Sequence, residues 1–474
     1  MIRLQSVLVI LLVIIVSNAI WHRYQALPKG MAIQSDAVPA DRLALLIDDT
    51  WQTPAGTQGI RQEIFDEVFR LINQAEHLVV VDMFLFNDFL GAGTKAYRPL
   101  SEQLTQALLA KRQRPSPVPV LLITDPVNTL YGGLHSTYLA RLQAAGVIVV
   151  TTPLASLRDS NPSWSGLWRL CCQWAGNNPD AGWLSNPMGP GDITLRSYLA
   201  LLNFKANHRK TLIVDEGGQW TGLVTSANPH DGSSAHSNLG LRFSGAAARQ
   251  LLESELAVVD LAGIQRPHLP DLGDHAAPPS QARMEVLTEG AIRDALLDTV
   301  NRSAAGDRLS LAVFYLSHRP LVEALLKAHQ RGVQVRVLLD PNKDAFGRQK
   351  NGIPNRQVGR ELHGQGIDVR WCNTQGEQCH TKMLMLTQSD RTELILGSAN
   401  FTRRNLDNLN LETSVRLFAP ATHPVARQAK SLFQRRWANL NNEMHSVEYL
   451  TYADDSAIKS LLYRVMEFTG WSSF

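Results

Sequence analysis

The sequence predicts an α/β protein made of two similar units, each a mixed sheet flanked by helices. Three observations support this prediction: the chain has 474 residues, strand-like and helical patterns alternate in both halves, and one polar motif occurs twice. A chain of this length exceeds one ordinary core. Its 44% hydrophobic and 19% charged residues are typical of a globular protein. The net charge of +3 argues against a generally polybasic nucleic-acid-binding protein but leaves a local basic groove open.

The N-terminus is predicted to direct the rest of the chain out of the cytoplasm. Residues 1–22 contain one basic residue near the start, Arg3, followed by the apolar run VLVILLVIIV (7–16) and then by the small-x-small stretch SNA (17–19). This order is typical of a signal peptide. The eighteen residues 4–21 are also just long enough for a transmembrane anchor. Both alternatives predict an exported protein that is either membrane-anchored or periplasmic or extracellular.

The first unit is predicted over 40–262, where helical and strand-like patterns alternate. The helical segments are EIFDEVFRLINQAE (63–76) and STYLARLQAAG (136–146), and the strands are HLVVVDMFLF (77–86), VPVLLITDP (118–126) and VIVVTTP (147–153).

The second unit is predicted over 284–440 and repeats this order. The helical segments are AIRDALLDTVNRS (291–303) and LVEALLKAHQRG (321–332), and the strands are RLSLAVFYL (308–316), VQVRVLLDP (333–341) and GIDVRWC (366–372). A proline-rich linker is predicted over 263–283. The tail, 441–474, carries apolar residues at helical spacing, which predicts an amphipathic helix that either docks on the body or lies on a membrane surface.

The first unit carries an insertion. From the glycine before the last strand to the histidine of the repeated motif there are 62 residues in the first unit and 14 in the second, which leaves about 48 extra residues near 154–200. The insertion contains Trp164, Trp168, Trp174 and Trp183. These tryptophans either pack an irregular excursion or form a lid that faces substrate or membrane.

One polar motif occurs once in each unit. HRKTLIVDEGGQWTGLVTSAN (208–228) aligns with HTKMLMLTQSDRTELILGSAN (380–400), and in both the lysine, serine and asparagine follow the histidine by 2, 18 and 20 residues. The candidate site residues are His208, Lys210, Ser226 and Asn228 in the first copy and His380, Lys382, Ser398 and Asn400 in the second. Four identities at matched offsets are hard to attribute to core packing.

The spacing predicts that the two motifs build one phosphoryl site. Residues two apart on a strand share a face, so His208 and Lys210 project together while Arg209 points away. A turn then returns a second strand, whose serine and asparagine reach the same pocket. Cations and amides that converge in this way suit a phosphoryl group. No carboxylate cluster with metal spacing accompanies the set, so the sequence predicts neither a metal nor another cofactor.

Two copies of HxKxxxxD followed by GSxN resemble the phospholipase D superfamily over about 40–440. The resemblance implies two α/β domains around a pseudo-twofold axis, one site at their interface and a covalent phosphohistidine. It also implies that His208 is the nucleophile, that His380 is the acid and base, that both lysines are catalytic, and that the asparagines and serines bind the phosphate. Because both half-sites lie in one chain, a monomer is expected.

Two positions depart from the family pattern. Asp215 of the first motif is matched by Thr387 in the second, so Asp215 is predicted to support the fold rather than the reaction. The family pattern also implies an acidic residue after the asparagine that orients a histidine. Glu412, twelve residues after Asn400, fits this role, whereas the same offset in the first copy gives Gly240. Glu412 is therefore expected to support the nucleophile, with either histidine as its partner.

The four cysteines lack the paired spacing of a zinc site. Cys372 and Cys379 either close a short loop before His380 as a disulfide or remain free thiols. The adjacent Cys171 and Cys172 are left unassigned.

The leading functional prediction is a phosphodiesterase that acts on phospholipids, by hydrolysis or by transfer of the phosphatidyl group to an alcohol, as in cardiolipin synthesis. Its predicted partners are a phospholipid membrane and a water or alcohol acceptor. One alternative is an exported or membrane-anchored nuclease of the same superfamily, with nucleic acid as the less favoured partner. The other is a non-catalytic scaffold that retains a phosphate pocket.

Overall fold

The structure, a computed structural model, describes residues 2–91, 96–272, 281–345, 348–472 and 474. Part of the predicted linker, 273–280, therefore lies outside the described residues. The helices are α1 (Ile2–Tyr24), α2 (Ile64–Gln74), α3 (Leu100–Arg112), α4 (Thr137–Ala144), α5 (Pro162–Cys171), α6 (Leu195–Leu201), α7 (Ala246–Leu261), α8 (Gly290–Arg302), α9 (Arg319–Gln330), α10 (Asn355–Gly364), α11 (Arg403–Leu406), α12 (Pro424–Ala438) and α13 (Ala457–Thr469).

The strands of the first half are β1 (Val38–Pro39), β2 (Asp41–Gln52), β3 (Gln58–Arg61), β4 (Val79–Met83), β5 (Val120–Thr124), β6 (Ile148–Thr151), β7 (Leu184–Ser185), β8 (Asp192–Ile193), β9 (Lys210–Glu216), β10 (Gln219–Thr225) and β11 (Asn238–Ser244). Those of the second half are β12 (Arg283–Thr288), β13 (Arg308–Val313), β14 (Gln334–Leu339), β15 (Asp344–Ala345), β16 (Arg348–Gln349), β17 (Asp368–Cys372), β18 (Lys382–Thr387), β19 (Arg391–Gly397), β20 (Thr413–Pro420) and β21 (Ser446–Glu448). Each helix and strand predicted above for the two units is present, with its ends shifted by at most three residues, whereas the helix predicted for the tail 441–474 is limited to Ala457–Thr469.

The two large sheets share one strand order, which confirms the predicted fold class. The first runs β3-β2-β11-β10-β9-β4-β5-β6, and the second runs β1-β12-β20-β19-β18-β13-β14-β17-β21. In each, the motif strand (β9 or β18) is antiparallel to its neighbour β4 or β13, which in turn begins a parallel run. Both sheets are therefore mixed, and both place the motif strand at the centre.

The motif strands are buried on both faces because apolar residues fill every position between their polar ends. Leu212 and Val214 pack into a core of the first half, whereas Ile213 points to the other face. There Ile213 joins the same core as Met383 and Met385 of β18. This shared core between the sheets fixes the position of one half against the other, at about 1.5–3 kcal/mol for each fully buried large apolar side chain.

Helix α1 contains the stretch Leu4–Tyr24, whose mean hydropathy of 2.3 makes it long and apolar enough to cross a membrane. It contacts α5 of the insertion, where the Asn18 side chain donates to the Gly166 carbonyl at 2.9 Å.

Two tryptophans of the insertion pack inside it and two are exposed. Trp168 is buried, and Trp164 packs against it and donates to the Leu199 carbonyl. Trp174 and Trp183 are instead 77% and 68% exposed. The insertion is thus held by some of its tryptophans and presents others at the surface.

Both cysteine pairs form disulfides. Cys372 is joined to Cys379, the first of the two alternatives considered for this pair, and Cys171 is joined to Cys172. The first of these disulfides closes the loop directly before His380.

Asp215 lies at the opposite end of β9 from Lys210 and holds the turn that leads into β4. Its buried carboxylate accepts backbone hydrogen bonds from Glu76, His77 and Leu78 at 3.0, 2.8 and 2.9 Å. These bonds and the His77 ring hold the pKa of Asp215 below its ordinary value, although burial alone would raise it.

We expect Asp215→Ala to lower the free energy of unfolding by about 2–4 kcal/mol, because several N–H groups lose a charged acceptor. Urea denaturation followed by circular dichroism measures this change. The control is Asp390→Ala, which removes an exposed carboxylate from the corresponding turn of the second motif. Equal midpoints for the two variants would contradict the proposed support by Asp215.

Candidate active site

The starts of β9 and β18 meet at one cavity of about 510 Å³. His208, Asn228, His380 and Asn400 all line it, so the structure brings both predicted half-sites together. The side chains of Lys210 and Lys382 are buried directly behind the two histidines.

Each histidine is held through its backbone by the other half of the chain. The His208 N–H donates to the Leu411 carbonyl at 2.8 Å, and the His380 N–H donates to the Ser237 carbonyl, also at 2.8 Å. The two bonds are equivalent in the two halves, as a pseudo-twofold relation requires. Neither half can therefore position its own histidine alone.

A second matched pair of contacts fixes the residue before each histidine. Asp125 accepts from the Asn207 N–H at 2.7 Å, and Asp340 accepts from the Cys379 N–H at 2.9 Å. Burial raises the pKa of Asp125 to about 7 and that of Asp340 to about 6. Each of these aspartates precedes a proline at the end of a predicted strand. The occurrence of this Asp-Pro pair in both units was a signal for these two positions that the sequence predictions did not use.

Glu412 reaches across to the first half. Its carboxylate lies 3.0 Å from His208 Nδ1 and also accepts hydrogen bonds from Ser398 and Asn405. Burial alone would raise the pKa of Glu412, but His208, Lys210 and these bonds hold it below its ordinary value. Of the two partners left open above, the structure selects His208.

Asn238 occupies the equivalent position in the first half, and sequence reasoning missed it. Its Oδ1 lies 3.1 Å from His380 Nδ1. The expectation that Gly240 matches Glu412 is wrong because the segment after Asn228 is two residues shorter. The backbone shows this directly: Ser226 bonds to the Leu239 carbonyl, whereas Ser398 bonds to the Thr413 carbonyl. An orienting group is thus present in both copies, a carboxylate in one and an amide in the other.

The two serines stand behind the histidines rather than at the phosphate position that the resemblance implied. Ser226 Oγ donates to Asn238 Oδ1 at 2.9 Å, and Ser398 Oγ donates to the Glu412 carboxylate. Both serines are fully buried. Their hydroxyls therefore fix the groups that orient the histidines.

Two phenylalanines form matching walls of the site. Phe84 lies 4.8 Å from the His208 ring and Phe314 lies 5.1 Å from the His380 ring, measured between centroids. Lys210 Nζ lies 5.0 Å from the Phe84 ring and donates to the His208 carbonyl. Lys382 contacts Phe314 in the same way, at 5.3 Å. Burial lowers the pKa of Lys210 to about 7 and also lowers the pKa of Lys382 well below its ordinary range.

Both imidazoles are neutral at pH 7 in this structure. Burial lowers the pKa of His208 to about 4, against the opposing effect of Glu412. Burial also lowers the pKa of His380, and the nearby Lys382 and His236 lower it further. Because Glu412 and Asn238 accept from Nδ1–H, each ring keeps its Nε2 lone pair free.

The remaining cavity wall is mainly apolar. Its apolar members are Phe84, Leu85, Val127, Tyr131, Pro187, Met188, Leu201, Phe204, Ala206, Phe314, Tyr315 and Phe474. Its polar members are Lys205, Ser233, His236, Lys350, Gln378, Arg404, Asn405 and Asn410. The insertion supplies Pro187 and Met188, although none of its tryptophans lines the cavity. The site thus combines a polar centre with walls that suit an apolar chain.

Comparisons with known proteins agree with this description. Residues 297–437 match a family described as cardiolipin synthase, PLD-like domain. Among solved structures, phosphatidylserine synthase of Haemophilus influenzae Rd KW20 is similar over 96% of this chain and 98% of its own, with a TM-score of 0.55 and 11% identity. This similarity shows the fold.

Other matches are more distant. Polyphosphate kinase of Porphyromonas gingivalis has a TM-score of 0.46 and 14% identity over 90% of this chain, and this chain spans only 53% of the kinase. Nuc of Salmonella typhimurium, a phospholipase D family member, has a TM-score of 0.28 and 20% identity over 35% of this chain and 99% of its own. A search of curated proteins found no match.

We expect His208 to remain neutral at pH 5.5, because its pKa of about 4 lies well below the ordinary 6.5. Nitrogen-15 NMR of histidine-labelled protein detects this state, with His208→Gln identifying the signal. Glu412→Gln should lower the pKa of His208 further, since the carboxylate is what raises it. A midpoint near 6.5 for His208 would show that its ring is solvated rather than buried.

Proposed function

We propose that this chain, of which residues 297–437 match the PLD-like family, is a phosphodiesterase of the phospholipase D superfamily that acts on phospholipids, by hydrolysis or by transfer of the phosphatidyl group to an alcohol. The observation that carries this proposal is the convergence of two His-Lys-Asn sets at one cavity with mainly apolar walls. The polar centre suits a phosphodiester and the walls suit the start of an acyl or glycerol chain.

In the first step, His208 Nε2 attacks phosphorus. A P–N bond forms, the P–O bond to the leaving alcohol breaks, and the leaving oxygen takes a proton from protonated His380. Glu412 supports this step because its carboxylate holds the proton on His208 Nδ1 and stabilises the positive charge that develops on the ring.

The same residues run the second step in reverse. His380 takes a proton from water or from an acceptor alcohol, whose oxygen attacks phosphorus as the P–N bond breaks. His380 must therefore gain a proton when substrate binds. The negative charge of a bound phosphodiester supplies the reason, since it offsets the positive groups that lower the pKa of His380 in the empty site.

The asymmetry between the two orienting groups supports this division of roles. A carboxylate stabilises an imidazolium more strongly than an amide does, so His208 is the ring better suited to carry positive charge in the covalent intermediate. His380, bonded to neutral Asn238, releases its proton more readily. Lys210, Lys382, Asn228 and Asn400 supply donors around the phosphoryl oxygens.

We also propose that the protein is exported and that α1 is retained as a membrane anchor. The supporting observation is that α1 contacts the insertion through residues that precede the cleavage point that SNA (17–19) would give. The Asn18 side chain donates to the Gly166 carbonyl at 2.9 Å, and a Cβ added to Gly166 would lie 2.7 Å from the Ala19 side chain. A cleaved signal peptide needs no such contacts with the mature protein.

A nuclease of the same superfamily is the second candidate. The observation that favours it is the presence of Lys205, Lys350 and Arg404 in the same cavity. Lys205, however, is already paired with Asp159 at 2.8 Å, which reduces its value for a nucleic-acid backbone.

The discriminating experiment incubates the detergent-purified full-length protein, in the presence of a chelator, with labelled phosphatidylglycerol, phosphatidylcholine and a single-stranded oligonucleotide. We expect turnover of at least one lipid and none of the oligonucleotide. His208→Ala is the matched inactive control. Turnover of the oligonucleotide alone would overturn the lipid assignment, and silence of the wild type on all three would favour a scaffold.

The roles of the two histidines are tested by acid quenching during turnover. We expect His380→Ala to accumulate covalent phosphate on the protein, because the intermediate forms but its breakdown lacks a base. His208→Ala should accumulate none. Intact-protein mass spectrometry and phosphohistidine detection after the quench measure both. Covalent phosphate in His208→Ala but not in His380→Ala would exchange the two roles.

A further inference from the structure

Helix α13 directs much of its apolar surface outward, unlike a helix that docks its apolar face on the core of a soluble protein. The side chains it buries against the body are Tyr463 and Glu467. Glu467 accepts from the Ser317 hydroxyl at 2.8 Å, and Tyr463 donates to the Ser317 carbonyl at 3.1 Å. The helix is therefore attached to the body by these hydrogen bonds and by the packing of Tyr463 and Met466 on the core of the second half.

The apolar residues of α13 face outward instead. Ile458, Leu461, Val465 and Phe468, spaced at i, i+3, i+7 and i+10, form one exposed stripe. Ile458 is 80% exposed and Phe468 is 81% exposed. Docking on the body, one of the two predictions for this segment, thus explains the inner face of the helix but leaves its apolar stripe uncovered.

Helix α5 presents a second outward apolar face. Leu167 and Leu170 are exposed on this face, and the exposed Trp174, just after the helix, lies beside them because its indole N–H donates to the Leu170 carbonyl at 3.3 Å. The neighbouring side of α5 meets α1 at Gly166, where an added Cβ would lie 2.7 Å from the Ala19 side chain. This close approach fixes the position of α5 along the axis of α1, at the level of Ala19.

The faces of α5 and α13 are neighbours. Trp471, just after α13, donates from its indole N–H to the Ser163 hydroxyl of α5 at 2.6 Å. Arg403 links the same region to the start of the second unit's site loop, since it donates to the Phe468 carbonyl. The two exposed apolar faces are thus joined directly to each other and, through α5, to α1.

We propose that these outward faces of α5 and α13, together called the apolar platform, dock into the headgroup region of the bilayer that α1 crosses. The position of α1 sets the depth. Ala19 lies five residues before Tyr24, which is about 8 Å along a helix. Trp21 and Tyr24 are typical of the membrane–water interface. Helix α5, which contacts α1 at Ala19, therefore lies at the depth of about 5–10 Å at which interfacial amphipathic helices are found.

The platform adjoins the mouth of the site. Phe474, which follows α13 in the chain, lines the cavity, as does Arg404, which donates to the Ser472 carbonyl. Docking by the platform would therefore hold the cavity against the lipid headgroups. This inference concerns where the protein sits rather than which bond it cleaves, so its test measures insertion and not turnover.

The test places an environment-sensitive fluorescent amino acid at position 461, 468 or 170 of the full-length protein, reconstituted into vesicles of phosphatidylcholine and phosphatidylglycerol. The matched control is position 148, where Ile148 is an exposed apolar residue at the start of edge strand β6. We expect emission from the three platform positions to shift to shorter wavelength. We also expect shallow doxyl-labelled lipids to quench it at least about twofold more than at position 148.

Each other outcome overturns the proposal. Quenching at 461, 468 and 170 equal to that at 148 would show that the platform faces water. A blue shift without quenching by lipid would show that protein, such as a second copy of the chain, covers the face. Circular dichroism of each labelled protein confirms folding, and since lipid turnover is assayed separately, a failed platform and a failed reaction are told apart.

Discussion

The site depends on a buried hydrogen bond between two halves of one chain, that from His208 Nδ1 to Glu412. Glu412 is fully buried, and a buried carboxylate is costly unless it is paired and fully bonded. His208, Ser398 and Asn405 satisfy its oxygens. The bond therefore requires the two sheets to be docked before the site exists, and it makes the site a property of the interface rather than of either unit.

A second buried charge ties the same region together. Arg209, which the strand periodicity directs away from the cavity, lies between Glu255 at 3.3 Å and Glu289 at 2.7 Å. Glu289 also accepts from the backbone N–H of Glu412. The motif residue that faces away from the chemistry is thus connected through Glu289 to the residue that orients His208. Removal of the Arg209 guanidinium would leave Glu255 and Glu289 without their buried cationic partner, and such a change typically costs about 3–5 kcal/mol.

The site has a framework that is repeated in the two halves, but its two orienting groups differ. The backbone bonds to the histidines, the Asp-Pro carboxylates and the phenylalanine walls occur in matched pairs. The orienting groups differ, with Glu412 on one side and Asn238 on the other. Identical chemistry on both sides would give two equivalent imidazoles, whereas the proposed two-step reaction needs one ring that holds positive charge and one that exchanges protons. The carboxylate of Glu412 beside His208 and the amide of Asn238 beside His380 would provide this difference between the two rings.

The sequence by itself determined the fold class, the repeated unit and the motif residues, because strand periodicity and duplicated spacing are local properties of the chain. It predicted that His208 and Lys210 project from the same face and that Asp215 supports the fold rather than the reaction. Only the tertiary structure decided which histidine Glu412 orients, because that contact crosses between units separated by 204 residues. Asn238 was missed for a related reason: pairing of β10 with β11, not a count of residues, sets which positions are equivalent. The outward apolar stripe of α13 shows the same limit, since periodicity finds an apolar face but only packing shows where it points.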